Sequence, residues 1–122
     1  MKSDSTTKLY HAQIFIPESL KKPVFEGELR YTRHAQHAAE SDIYGEVALP
    51  RYFQAEGAKL IEVETELGVP VKQLWRQKLD DKRDLILVIT SEGSVKTVWI
   101  NLLSDNHRTL DRTKYQRKQH LK

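Results

Sequence analysis

A chain of 122 residues is the size of one domain, and its core needs no metal or disulfide to hold it. There is no cysteine, which excludes a disulfide framework and thiolate metal sites. No apolar run approaches the roughly 18–20 residues of a membrane span, and Met1 to Thr7 lacks the apolar core of a secretory signal, so a soluble, cytoplasmic protein with no membrane partner is expected.

The formal charge of +3 is unevenly spread. Between Asp105 and Lys122, Arg108, Arg112, Lys114, Arg117, Lys118 and Lys122 stand against Asp105 and Asp111, so this segment carries +4 and the remainder −1. A basic segment of this kind suits phosphate contacts, because Lys and Arg release condensed counterions from nucleic acid; it is equally the composition of a solvated terminus.

In chain order, residues 1–7 read as disordered, and 8–16 as a strand or a loosely docked segment. Residues 1–24 are taken as an N-terminal extension, 25–116 as a single α+β domain and 117–122 as a basic tail. Pro17 and Pro23 bracket a connection. Phe25, Gly27, Leu29 and Tyr31 alternate with Glu26, Glu28, Arg30 and Thr32, which predicts a short strand. Thr32 then caps an alanine-rich helix from about Arg33 to Ser41. Gly45 and Pro50 break the segment that follows.

Residues 58–67, 71–79, 84–91 and 94–103 are four strand candidates, separated by Gly68-Val69-Pro70, by Asp80 to Arg83 and by Glu92-Gly93. Close spacing with turn signals predicts an antiparallel meander. The expected fold is therefore α+β: a four-stranded antiparallel sheet with one or two N-terminal helices packed on one face.

The simplest hairpin registers pair Ile86 with Trp99, Val88 with Thr97, Trp75 with Val88, Val63 with Trp75 and Glu62 with Arg76. They put Ile61, Val63, Trp75, Ile86, Val88, Val95 and Trp99 on a helix-packed face. Glu62, Glu64, Glu66, Lys72, Arg76, Lys78 and Lys96 fall on the other face, beside Leu85, Leu87, Ile89, Val98 and Ile100. Slipping one register by a residue exchanges the faces, and would turn the tryptophans from core residues into stacking platforms.

Three constellations have the residue types for chemistry. Glu62 and Arg76, with Glu64, Lys72 and Lys96 nearby, supply a carboxylate and cations; the same set also fits a salt-bridged sheet face. Arg33 and His34 open the helix, where backbone N–H groups favour phosphate, and His34 equally suits a packing or capping role. His34 and His37 lie three apart, but no third ligand is evident, so no metal site and no cofactor are assigned. His107, with Arg108, Thr109 and Tyr115, follows the last strand; a neutral-pH imidazole there is a natural general acid, and the segment is also a hydrogen-bonded turn candidate.

Tyr31-Thr32-Arg33-His34-Ala35 opening a helix, Glu62-Val63-Glu64, Lys72 to Arg76, Asp84 to Ile89 and a last strand through Val95-Lys96-Thr97-Val98-Trp99 together resemble small ribonuclease-toxin domains. That broad group spans the barnase, EndoU, colicin and RelE types. The likeness is one of element order, covers about residues 29–115 and includes no diagnostic motif. It implies a metal-independent endoribonuclease cleaving by 2′-hydroxyl transesterification. Glu62 (or Glu64) would be the base, Arg76, Lys72 and Lys96 phosphate stabilisers, His107 the acid, and His34 a second acid/base candidate. Arg33, Arg108, Thr109 and Tyr115 would bind substrate. RNA is then the expected partner, with an acidic antitoxin or immunity protein covering the charged face. The alternative is a non-catalytic module of phage or plasmid type that binds nucleic acid or protein through the same residues.

Overall fold

The computed structural model describes residues 6–42 and 48–102. Its main sheet has six strands: β1 (Thr7–His11), β3 (Arg30–Tyr31), β5 (Lys59–Glu66), β6 (Val69–Lys78), β7 (Arg83–Thr90) and β8 (Ser94–Leu102). β2 (Gly27–Glu28) and β4 (Tyr52–Phe53) form a separate two-stranded sheet, and the α-helix among the described residues is α1 (Arg33–Glu40).

The order across the main sheet is β1-β5-β6-β7-β8-β3, with β3 parallel to β8 and every other pair antiparallel. This corrects the expected four-stranded sheet with N-terminal helices. The predicted meander is present as β5 to β8, but strands are added at both of its edges and the sheet is mixed. The first edge comes from inside the segment assigned as an N-terminal extension. The second, β3, is two residues long, too short for its alternation to signal a place in the sheet. No helix among the described residues is long and apolar enough to cross a membrane.

Local chemistry explains the hairpins. Glu66 and Val69 flank a two-residue turn in which Leu67 and Gly68 both have positive φ, 53° and 82°. That geometry matches the right-handed twist of the strands and favours Asn-Gly; a leucine tolerates it poorly. The next loop is fixed by Asp80, whose carboxylate accepts the N–H groups of Lys82 and Arg83 and pairs with the Arg83 guanidinium at 2.7 Å. Those bonds hold the Asp80 carboxyl below its ordinary pKa. The loop therefore comprises residues 79–82, one position earlier than Asp80 to Arg83.

That single position reverses a face. Trp75 pairs with Leu87 and Arg76 with Ile86, whereas the Ile86–Trp99 and Val88–Thr97 pairs form as expected. Trp75, Leu85, Leu87, Ile89, Val98 and Ile100 consequently share the helix-side core with Ala35, Ala39 and Phe53. Ile86, Val88 and Trp99, expected in that core, lie on the opposite face with Glu62 and Arg76. Val63 stays on the helix side, in a smaller cluster with Ile16 and Leu20. Gln73 joins the two clusters. It is 1% exposed, and its amide accepts from Val24 N–H and Trp75 Nε1 while donating to the carbonyls of Leu20 and Lys22.

Candidate functional site

The helix end is built by Thr32. Its Oγ1 accepts the Ala35 N–H at 3.0 Å, a helix N-cap, and donates to the Lys96 carbonyl at 3.1 Å. The Thr32 N–H is bonded to the Val95 carbonyl. Three bonds at one residue thus fasten the first turn of α1, and with it His34, to β8.

β8 is irregular at the same place. Thr97 pairs with Val88, but the next pair is Val95 with Ile89, which leaves Lys96 as the extra residue of a bulge. The bulge keeps Val95 in the helix-side core while Lys96 and Thr97 line the opposite side. β5 also carries irregularities, between Leu60 and Glu62 and between Glu64 and Thr65. Glu62 then stands opposite Leu74 on β6 and His11 on β1.

These devices converge. His34, Glu62, Lys72 and Lys96 line one groove of about 370 Å³, together with Gln73, Leu74, Val88, Thr97 and Trp99. The size is at the small end of ligand pockets, which fits a small unit such as one nucleotide. Glu62 is buried, His34 and Lys96 are exposed, and Trp99 is partly exposed. Lys72 reaches Glu64 at 3.3 Å with both side chains about one-third exposed, a pair that a phosphate can exchange for at small cost. The groove therefore offers a carboxylate with apolar neighbours, an imidazole, two ammonium groups and an aromatic ring. That set can take up a proton, give one, hold an anion and stack against a flat ring.

The remaining residues singled out from the sequence fall elsewhere. Arg76 is buried, is opposite Ile86 and Lys59 rather than Glu62, and has its Nε bonded to Asp84. It does not line the groove. Asn101, the partner of Asp84 on β8, is buried next to this pair. Arg33 is exposed beside His34 at the helix start, and His37 is exposed in the last turn. His107, Arg108, Thr109 and Tyr115, and the tail 117–122, lie outside the described residues. Among the described residues, no three His, Asp or Glu side chains are arranged to hold a metal ion.

Trp99 and Thr97 are groove residues that the sequence does not single out as site residues. Trp99 had a signal, since the one-residue slip that makes it a groove residue is a recognised alternative for any hairpin loop.

No protein-family model matches this chain, and neither the curated proteins nor the solved structures contain a match.

Proposed function

We propose that the groove is the active site of a metal-independent endoribonuclease acting on single-stranded RNA in the cytoplasm. The observation that carries this reading is the convergence of His34, Glu62, Lys72 and Lys96 on one groove that also holds Trp99. In the proposed reaction Glu62 takes the proton of a ribose 2′-hydroxyl, whose oxygen attacks the adjacent phosphorus. The 2′-O–P bond forms, the P–O5′ bond breaks, and His34 gives a proton to the departing 5′ oxygen. Lys72 and Lys96 stabilise the extra negative charge on the phosphorane. Trp99 gives an unpaired base a stacking surface, which a base held in a duplex does not reach. Arg76, in this scheme, is a structural ion-pair partner of Asp84. An acidic antitoxin that covers the groove is the partner this reading implies.

The test is a mixed RNA pool incubated with the purified protein in excess EDTA, beside His34→Ala, Glu62→Gln, Lys96→Ala and His107→Ala variants. The expected result is fragments ending in 2′,3′-cyclic phosphate, lost with Glu62→Gln and reduced by about 10²-fold or more with His34→Ala. Loss with His107→Ala but not His34→Ala transfers the acid role to His107. Intact RNA with the parent protein, while Lys96→Ala weakens RNA binding, establishes the non-catalytic module instead.

A further inference from the structure

The groove-side face carries a buried patch. Ile86 is 0% exposed, and Leu74, Arg76, Asp84 and Asn101 around it are buried as well. Side chains that stand side by side on one face of a sheet shield each other's flanks and leave their tips to whatever lies above. A whole group of neighbours buried together therefore requires a cover. Ile86 belongs to neither apolar cluster. α1 packs on β8 and β3, the connection through Ile16 and Leu20 packs on Val63, and Leu49, Phe53 and Ala55 join the helix-side cluster. Apart from His34 in the groove, the packing of the described chain outside the strands is thus on the other side.

The chain by itself buries this patch, so the cover is one of the segments outside the described residues: 1–5, 43–47 or 103–122. Reach decides between them. Thr7 lies about six residues along the strands and three strands across from Ile86, about 24 Å in all. Residues 1–5, fully extended, span at most about 18 Å. Segment 43–47 is tethered at both ends, because Asp42 accepts the Ile100 N–H at the outer edge of β8 and Leu49 packs in the helix-side cluster. A path from that edge over Leu74 and Arg76 on β6 and back is about 28 Å, beyond the roughly 25 Å that the chain from Asp42 to Leu49 can span. Residues 103–122 have neither limit. They follow Leu102, which stands opposite Arg83 and next to the Asp84–Asn101 pair, so the chain leaves the sheet at the rim of the patch. They also carry Leu103, Leu110, Tyr115 and Leu121, apolar surface of the kind that Ile86 and Leu74 require.

From this we infer that residues 103–122 dock on the groove-side face of their own chain, across Ile86 and its neighbours. Leu74 also lines the groove, as does Trp99, the partner of Ile86, so docking brings a segment of charge +4 to the border of the groove. That this charge adds phosphate contacts rests on the ribonuclease reading; the docking does not.

The natural chain has no cysteine, so a nitroxide attached to a Thr113→Cys variant of the full chain marks this segment alone. The expected result is loss of the Ile86 and Leu74 methyl signals and of the Trp99 indole signal, restored when the nitroxide is reduced, with the Ile16 and Leu20 signals retained. Unchanged Ile86 signals, or a larger loss at Leu20 than at Ile86, overturn the inference. Mixing nitroxide-bearing chains with isotope-labelled chains that lack the nitroxide tests the occupant: loss of the Ile86 signals in that mixture assigns the cover to a second copy and overturns it too. In the full chain, Leu110→Asp combined with Tyr115→Asp is expected to move the Ile86 methyl resonances and leave those of Leu20 in place; the reverse pattern contradicts the docking. Loss of the Ile86 signals in a protein that cleaves no RNA supports the docking and removes the ribonuclease reading alone.

Discussion

The two faces of the main sheet are built from the same four long strands and differ in almost every other respect. The helix-side face is apolar, covered by α1 and by the connection through Ile16 and Leu20, and sealed in the middle by a single fully bonded polar residue, Gln73. The opposite face mixes Glu62, Lys72, Arg76 and Asp84 with Leu74, Ile86, Val88 and Trp99, and it holds the groove. One face is organised to exclude water, the other to keep charge close to apolar surface. The comparison teaches that in this fold stability and chemistry are segregated by strand pleat, so neighbouring residues on one strand have unrelated roles. Leu87 and Val88, or Val98 and Thr97, are examples.

Substitutions break that comparison in graded fashion. Leu87→Ala opens a cavity in the closed face and is expected to cost about 3–5 kcal/mol in chemical denaturation, against about 1 kcal/mol for Val88→Ala beside the groove. Equal costs would erase the distinction between the faces. Gln73→Leu leaves the Lys22 carbonyl, the Val24 N–H and the Trp75 indole N–H without their partner, and a loss of about 3 kcal/mol is expected despite the gain in hydrophobicity.

Tyr31 gives a pH test. Burial pushes its phenol up to about 12, and its hydroxyl donates to the Pro50 carbonyl. The unfolded chain releases this proton near the ordinary value of 10.0. Between those two values the folded state holds more protons than the unfolded, so the stabilisation is present below about pH 10 and is lost as pH rises through about 12. Tyr31→Phe is expected to cost about 1 kcal/mol at neutral pH and to flatten the alkaline decline of stability. An unchanged decline would count against a buried phenol.

The smallest effect lies at the β5–β6 turn. Leu67 is 77% exposed at a φ of 53°, so replacement by asparagine removes backbone strain without touching the core. Leu67→Asn is expected to stabilise by about 0.5–1 kcal/mol, measured by the same denaturation curves.

How much of this was legible in the sequence varies with the length scale of the signal. The Thr32 cap, the helix it starts and the Glu92-Gly93 hairpin rest on adjacent residues, and all three form where the sequence puts them. The face assignment rests on the exact limits of a four-residue loop, and there the Asp80 side chain, bonding forward to Lys82 and Arg83, moves the register by one. Bulges at Leu60/Glu62 and at Lys96 are likewise invisible to a period-two pattern. Four site residues nonetheless meet, because alternation keeps Glu62 and Lys72 on one face whatever the partner strand, and because the Thr32 cap fixes His34 next to β8. The direct Glu62–Arg76 strand pairing required a specific register, and Glu62 stands opposite Leu74 instead.

The most direct measurement of the central division is a backbone amide spectrum recorded while a short single-stranded oligonucleotide, 2′-deoxy throughout so that it resists cleavage, is added. Binding at the groove predicts shifts concentrated at His34, Glu62, Lys72, Lys96, Thr97 and Trp99, weakening with salt, while Leu85, Leu87 and Ile89 stay in place. Shifts spread over α1 and the closed face, or none at the groove under conditions where binding is measurable, would contradict the account.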